Sequence, residues 1–141
     1  MKINAQVRNQ AGSHQVQVMT DGKPQSIVIP PRPSGFGSSL NGGEVLFLAL
    51  ATCYCNDIYR EACRMNIRVE SVEVEVQGDF GEPGEPARNV TYRARVAAQA
   101  REDEIRQLML QTDRVAEIQN TLRLGTPVEL AQVEVVSVMA S

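Results

Sequence analysis

The sequence has few of the residues that build metal sites and disulfide frameworks. Its 141 residues include three cysteines, one histidine and no tryptophan. The amino terminus, MKINAQVRNQ, has no apolar export signal, so we expect a cytoplasmic protein whose three cysteines form no disulfide framework. A zinc site is also disfavoured, because His14 is the only histidine and no CxxC pair occurs. We therefore predict that the protein holds no metal and no cofactor.

Long apolar runs and blocks of one charge are also missing. The 14 basic and 17 acidic side chains are interspersed along the chain, and the net charge is −3. This distribution gives no electrostatic attraction to nucleic acid or to an anionic membrane surface. The most apolar stretch, residues 45–55, is well short of the ~20 residues that span a bilayer. We predict that neither nucleic acid nor a membrane is a partner.

This apolar stretch is the strongest structural signal in the chain. Residues 45–55 are apolar at every position except Thr52, which predicts a helix buried on all sides. From Ile58 onward the apolar positions fall on one side, as in a helix that leaves the interior toward solvent. Cys53 and Cys55 lie in the buried half of this helix, and Cys63 lies in the exposed half. One small sheet cannot cover such a helix, so we predict that a homodimer buries it.

The remaining pattern predicts strands on both sides of this helix and a second helix after them. Alternating apolar and polar residues mark the strands, Asp21-Gly22 marks a hairpin turn, and residues 30–43 are too rich in Pro, Gly and Ser for regular structure. Strands are predicted near residues 2–9, 16–18, 25–29, 72–76, 90–98 and, with a bulge, 128–138; the second helix is predicted near residues 102–116. The order βββ-α-ββ-α-β predicts one α+β domain over residues 1–141.

The cysteines leave alternatives open for thiol chemistry. On a helix, residues two apart point about 200° from each other and ten residues span about 15 Å, so Cys53 cannot bridge to Cys55 or Cys63 within one chain. Either pairing stays open across a dimer. We interpret Cys55 and Cys63 as packing residues, whereas Cys53 is either a reactive thiol or a buried, inert one. Arg32, the lone cation of the loop before the helix, is either a solvated side chain or the cation that reaches the thiols.

Several motifs in order resemble one known family. They are Asn41-Gly42-Gly43-Glu44, a helix of the form xLxLAxAxC, a strand of the form SVEVEVxG, Asn120-Thr121-Leu122-Arg123, and Gly125-x-Pro127-Val128-Glu129. Over nearly its whole length the chain resembles the OsmC/Ohr family, the osmotically induced protein C and organic hydroperoxide resistance proteins. The resemblance implies an intertwined homodimer of α+β subunits, with the central helices packed together and buried between sheets.

The resemblance also implies an activity in the oxidative stress response, the thiol-dependent reduction of organic hydroperoxides. Cys53 falls on the peroxidatic cysteine, whose thiolate attacks the O–O bond and becomes a sulfenic acid. The family's second cysteine, which resolves that acid, falls on or next to Ala116, and this chain has no cysteine after Cys63. Arg32 takes the place of the family arginine that activates the thiol. The glutamate that holds this arginine falls at Gly43, with Glu44 one residue along and rotated by about 100° on a helix.

Two functions follow from these observations. The first is a one-cysteine peroxidase in which Cys53, with Arg32 and Glu44, reduces a hydroperoxide and is restored by an external thiol reductant or by a cysteine of the other subunit. The second is a non-catalytic dimer that binds a small hydrophobic ligand in a cavity between its subunits. Cys53 and Arg32 favour the peroxidase, whereas Ala116 and Gly43 favour the binding protein.

Overall fold

The computed structural model describes residues 1–139 and has mixed α+β architecture. Three strands precede a long helix, two strands follow it, and two helices follow those strands. The elements are β1 (Ile3–Gln10), β2 (Ser13–Thr20), β3 (Lys23–Ser26), α1 (Gly42–Arg64), β4 (Arg68–Asp79), β5 (Arg88–Gln99), α2 (Glu102–Val115) and α3 (Glu117–Arg123). The predicted α+β class is confirmed. No helix within residues 1–139 combines the length and the apolar character that crossing a membrane requires.

The chain divides into two compact units, and α1, β4 and β5 contribute to both. The first unit contains Met1–Thr52 and Val74–Ala94, and the second contains Cys53–Glu73 and the chain from Arg95 onward. Cys53 is thus the first residue of the second unit.

In the first unit, β1, β2 and β3 form an antiparallel meander. The Asp21-Gly22 turn joins β2 to β3, and both residues have positive φ angles of 48° and 80°, as a tight hairpin requires. Because the turn has only two residues, pairing with β2 begins at Thr20 and Lys23, directly after it. Strand β3 therefore begins and ends earlier than the predicted strand at residues 25–29. Pro30 and Pro31 follow, and neither can donate a backbone hydrogen bond to a sheet.

The first half of α1 lies in the same unit and begins with a reciprocal cap. The Asn41 side chain accepts a hydrogen bond from the backbone N–H of Glu44 at 2.8 Å, and the Glu44 carboxylate accepts one from the backbone N–H of Asn41 at 3.0 Å. The burial predicted on all sides is burial within a dimer and stays a prediction; in the single chain Val45 and Leu48 are 39% and 59% exposed whereas Leu50 is buried. Thus one face of this half of α1 is uncovered by the chain's own residues.

Strands β4 and β5 form a second sheet. Their side-chain contacts run in opposite directions along the two strands, as in an antiparallel pair: Asp79 with Asn89, Glu75 with Arg93, and Glu70 with Gln99. Opposite charges also meet across this sheet at Glu75 and Arg93, where the charged atoms are 2.6 Å apart.

The second unit holds most of the fully buried side chains. Ile58 and Ala62 of α1, Leu108 and Thr112 of α2, and Ala116 are at most 2% exposed. The Tyr54 hydroxyl donates a hydrogen bond of 2.8 Å to the backbone carbonyl of Met109, which ties α1 to α2. The apolar spacing of the second predicted helix is therefore confirmed as a core-facing pattern.

Two features at the carboxyl-terminal end differ from the sequence prediction. Ala116 has an extended backbone, with φ −65° and ψ 110°, so the helical region continues after it as the separate helix α3. The strand predicted at residues 128–138 is wrong: this segment has no regular structure and its valines are 70–96% exposed. A strand needs a neighbour for its backbone N–H and C=O groups, and no strand within residues 1–139 pairs with this segment. The observed order is therefore βββ-α-ββ-α-α.

Candidate functional site

The helical spacing of α1 brings three functional side chains to one face of the second unit. Cys53, Asp57 and Arg60 are separated by four and three residues, and these separations place side chains above one another on a helix. The extended backbone at Ala116 ends α2, and Glu117 then opens α3 against this face. We call these four residues, Cys53, Asp57, Arg60 and Glu117, the thiol cluster.

The Cys53 thiol contacts two carboxylates. It donates to Asp57 Oδ2, which is 3.5 Å from the sulfur, and Glu117 Oε2 lies 3.7 Å from the same sulfur. Burial raises the pKa of the Cys53 thiol, and the negative charges of Asp57 and Glu117 raise it further, while a hydrogen bond from the backbone of Ile118 lowers it. The resting form of Cys53 near neutral pH is therefore the thiol, whose proton points to a carboxylate.

Arg60 joins the carboxylates of the cluster. Its guanidinium lies 2.7 Å from Glu117 Oε1 and 3.2 Å from Asp57 Oδ1, and it also donates to Glu61 Oε2 at 3.0 Å. Glu61 is 3% exposed, so this third contact anchors the guanidinium to the core of the unit. The cation of the cluster thus has its donors directed at carboxylates.

Asp57 and Glu117 titrate in opposite directions. Burial, followed by the hydrogen bond and the negative charge of Glu117, raises the pKa of Asp57 to about 6. The hydrogen bond from Asp57, together with the ion pair with Arg60, lowers the pKa of Glu117. Two carboxyl groups that share a site in this way hold one proton between them in mildly acidic solution. Asp57 is therefore the group of the cluster whose protonation changes closest to neutral pH.

Arg32, predicted to activate the thiol, belongs to the first unit. It lies in the irregular segment between β3 and α1, where its backbone N–H donates to the Gly37 carbonyl at 3.2 Å and its side chain passes close to the same glycine. The hydrogen-bonding partners of Cys53 are the carboxylates of Asp57 and Glu117 and the backbone of Ile118, all in its own unit. The catalytic role of Arg32 stays a prediction.

Glu44, the third predicted site residue, has a structural contact in the first unit. Its carboxylate caps the amino terminus of α1 through Asn41. At the neighbouring position, where the resemblance puts the family's glutamate, a Cβ atom on Gly43 would lie 2.7 Å from Phe80 Cε2, so a side chain there would require this half-exposed ring to move. The Phe80 ring, stacked 5.7 Å from that of Phe47, occupies this space. The role of Glu44 in catalysis stays a prediction.

All three cysteines of the chain are free. Cys55 is half-buried, and Cys63 is exposed at the edge of a shallow cavity of about 340 Å³ that Tyr59 and Arg68 also line. Neither contacts the thiol cluster through a hydrogen bond among those described. The interpretation of Cys55 and Cys63 as packing residues stays a prediction.

Sequence reasoning missed Asp57, Arg60 and Glu117 as functional residues. The spacing of four between Cys53 and Asp57 was a usable signal, because it places both side chains on one helix face. The resemblance put the family's second cysteine on or next to Ala116, and Glu117 is next to it. Glu117 thus contacts the sulfur from the segment in which a resolving cysteine was sought.

The cluster also has a donor set for a metal ion. The ligand atoms of Cys53, Asp57 and Glu117 all lie within 4.8 Å of one another, and thiolate with carboxylate is a combination that divalent zinc accepts. Arg60 already binds both carboxylates, however, and its positive charge opposes a second cation. The expected absence of a metal stays a prediction.

These features define a thiol-containing α+β protein, and comparison with known proteins places it in a family. The OsmC-like protein family matches residues 35–131, which is more than half of the chain and includes Cys53, Asp57, Arg60 and Glu117. The chain belongs to the OsmC-like family. The comparison with curated proteins finds no match.

Solved structures of OsmC proteins share the fold. An OsmC-like protein of unknown function from Vibrio cholerae has a TM-score of 0.62 at 15% identity, covering 86% of this chain and 93% of its own. An OsmC-like protein from Mycoplasma pneumoniae has a TM-score of 0.58 at 16% identity, covering 85% and 87%. A protein from Legionella pneumophila, described as an organic hydroperoxide resistance protein OsmC and predicted redox protein, has a TM-score of 0.54 at 19% identity, covering 84% and 89%.

Proposed function

We propose that the protein is a one-cysteine thiol peroxidase that reduces organic hydroperoxides, with Cys53 as the nucleophile. The observation that carries the proposal is the position of the Cys53 sulfur, 3.5 Å from a carboxylate oxygen of Asp57 that can accept its proton. Family membership and the hydroperoxide resistance protein among the fold relatives support the same chemistry. The oxidative stress response is the physiological setting that this chemistry fits.

The reaction balances without a metal or a cofactor. The Cys53 sulfur takes the distal oxygen of the hydroperoxide as the O–O bond breaks, giving a Cys53 sulfenic acid and the alcohol. An external low-molecular-weight thiol then forms a mixed disulfide with Cys53 and releases water, and a second thiol releases Cys53 as the free thiol with formation of the external disulfide. An external reductant is needed because Glu117, and not a cysteine, contacts the sulfur from α3.

The proposed working form is a homodimer. Val45 and Leu48 leave an apolar face of α1 exposed in the chain by itself, and a second copy of the chain would remove that face from water. Sedimentation equilibrium should give twice the mass of the chain at micromolar concentration, and Leu48→Glu should shift the mass toward that of one chain. A folded monomer of the unchanged protein would contradict the dimer.

A second candidate is the non-catalytic dimer that binds a small hydrophobic ligand. The raised pKa of Cys53 favours it, because a thiol without a thiolate form near neutral pH is a poor nucleophile. The same exposed face of α1 would then border an apolar cavity between the two subunits.

Treatment with an organic hydroperoxide separates the two candidates. The reduced protein is mixed with one equivalent of cumene hydroperoxide and a sulfenic-acid trap, and each cysteine peptide is analysed by mass spectrometry. The peroxidase should carry the trap on Cys53 and on no other cysteine, Cys53→Ser should consume no hydroperoxide, and Cys55→Ser should behave as the unchanged protein. A Cys53 that stays a free thiol while the protein retains a hydrophobic ligand through purification would establish the binding function instead.

A further inference from the structure

The thiol cluster has no cation in contact with the sulfur that would stabilise a thiolate. Attack of a thiol on a hydroperoxide must release the proton of the sulfur and must give a proton to the departing alkoxide. An arginine beside the sulfur would favour the thiolate, but the side chains that hydrogen-bond to Cys53 Sγ are the carboxylates of Asp57 and Glu117, and the third partner is the backbone of Ile118. These carboxylates disfavour the thiolate. Transfer of the thiol proton to a neighbouring carboxylate during attack therefore suits this site better than ionisation of the sulfur before attack.

We propose that Asp57 is a catalytic residue that accepts the Cys53 proton during attack and returns it to the leaving alkoxide, with Glu117 as its carboxylate partner. This inference rests on the proposed peroxidase function and names the residues that move its proton. Arg60, which touches the two carboxylates and not the sulfur, is a positioning residue.

The proposed step conserves every atom and charge. The sulfur–oxygen bond forms from a sulfur electron pair while the thiol proton passes to Asp57 Oδ2, the oxygen 3.5 Å away. The O–O bond breaks and leaves an alkoxide, which takes the proton back from Asp57. Oxygen transfer gives the Cys53 sulfenic acid and the alcohol, and Asp57 ends the step ionised, as it began. The sulfur is oxidised by two electrons and the hydroperoxide is reduced by two.

The surroundings of Asp57 suit a group that takes and returns a proton. It is 6% exposed, so water competes little for the proton. Charged groups face it from two elements: Arg60 from α1 and Glu117 from α3, with the Cys53 thiol on the third side. Glu117 raises the proton affinity of Asp57, whereas Arg60 limits the rise. An acid–base group works best when its pKa lies near the pH of the reaction, and Asp57, at about 6, lies closer to neutrality than Glu117.

The alternative is that the two carboxylates act only through their charge. In that case they hold Cys53 in its protonated form, and removing either one makes the sulfur a better nucleophile in every reaction. Two reactions of the same sulfur separate the alternatives. Alkylation by iodoacetamide requires only the thiolate, because iodide leaves without a proton, whereas hydroperoxide reduction also requires a proton for the alkoxide.

The experiment compares Asp57→Asn and Glu117→Gln in both reactions at pH 7.5. Loss of a negative charge should lower the pKa of Cys53 and accelerate its alkylation by about 3- to 10-fold. Loss of the proton carrier in Asp57→Asn should slow sulfenic acid formation with cumene hydroperoxide by about 10- to 100-fold, and Glu117→Gln should slow it less. Glu102→Gln, an exposed carboxylate of α2 paired with Arg106 at 3.4 Å, is the control and should leave both rates unchanged.

Opposite changes in the two rates support the proton transfer. Faster alkylation together with faster hydroperoxide reduction in both variants would overturn it and leave the peroxidase function standing. If Cys53 of the unchanged protein is alkylated by iodoacetamide but is never oxidised by the hydroperoxide, the proposed peroxidase function is wrong. The proton transfer, which rests on that function, is then wrong as well. Because Glu117 is exposed, Glu117→Gln should fold and permit the comparison even if Asp57→Asn, at a buried position, does not.

Discussion

Helix α1 passes through both compact units, and its two halves differ in what they contact. The half up to Thr52 caps itself through Asn41 and Glu44 and leaves Val45 and Leu48 exposed. The half from Cys53 onward buries Ile58 and Ala62 and supports the thiol cluster. The first half therefore has exposed apolar surface, whereas the second half packs these two side chains in the core and pairs Arg60 with Asp57 and Glu61. One continuous helix thus combines a surface that favours association with a chemically organised site.

The largest expected effect is a loss of stability in the second unit. Leu108→Ala removes a side chain with 0% exposure from the core between α1 and α2, and the resulting cavity should reduce the free energy of unfolding by about 2–5 kcal/mol. Leu110→Ala, on the same helix at 57% exposure, is the control and should cost less than about 1 kcal/mol. Urea denaturation followed by circular dichroism measures both. Equal losses would mean that Leu108 is not the core residue of α2 that its burial indicates.

The next effect is in the first unit, at the close approach of α1 to Phe80. Gly43→Ala places a Cβ atom 2.7 Å from the Phe80 ring and should destabilise the protein by about 1–3 kcal/mol. Gly42→Ala meets no atom within 4 Å and should be neutral or slightly stabilising. Thermal unfolding compares the two variants. Gly43→Ala is also made in a Phe80→Ala variant. If it lowers the stability of that variant as much as it lowers that of the unchanged protein, contact with the Phe80 ring is not the cause of the destabilisation.

The titration of Asp57 should make the free energy of unfolding depend on pH. Its pKa is raised to about 6 in the folded state, above an unfolded value near 4, so the folded protein binds its proton more tightly. The contribution is fully present below about pH 4 and is lost as the pH rises through 6, on the order of 2–3 kcal/mol. Asp57→Asn should remove this decline. Glu117, whose pKa is lowered, acts with the opposite sign and only in more acidic solution. A decline between pH 4 and 6 that persists in Asp57→Asn would assign it to another group.

The smallest effect distinguishes two arginines, one in each unit. Arg60→Ala leaves Asp57 and Glu117 without their cation, so the sulfur faces more negative charge and its alkylation should slow by about 2- to 5-fold. The sequence predicts that Arg32→Ala also slows alkylation of Cys53 without changing that of Cys55 and Cys63. Alkylation rates measured cysteine by cysteine compare the two. If only Arg60→Ala has an effect, the cation that governs Cys53 lies on its own helix.

Much of the fold could be predicted because its signals are local. The Asp21-Gly22 hairpin, the alternation in β4 and β5 and the helical spacing around Leu108 each depend on neighbouring residues, and each is observed. The break at Ala116 and the irregular backbone of residues 128–138 depend on which distant segments of the chain are near enough to pack or pair with them. Those features could not be read from a local pattern.

The candidate site was predictable only in part for the same reason. Cys53 could be recognised from its place in the helix motif, and Asp57 could have been recognised from its spacing to Cys53. Glu117 is 64 residues away from Cys53 in sequence, so its contact with the sulfur depends on how α3 packs against α1. The family pattern favoured Arg32 and Glu44, and in this chain Phe80 fills the space beside Gly43 that the family's glutamate would need.

The exposed carboxyl-terminal segment has a consequence for solubility. Residues 133–138, VEVVSV, contain four valines that are 70–93% exposed and one charged side chain, Glu134. Short segments of this kind, with high β-propensity and little charge, add to the open edges of other sheets and can start cross-β aggregates. The protein should therefore precipitate more readily when this segment is left uncovered, and replacing Val135 or Val136 by lysine should raise the concentration at which precipitation begins.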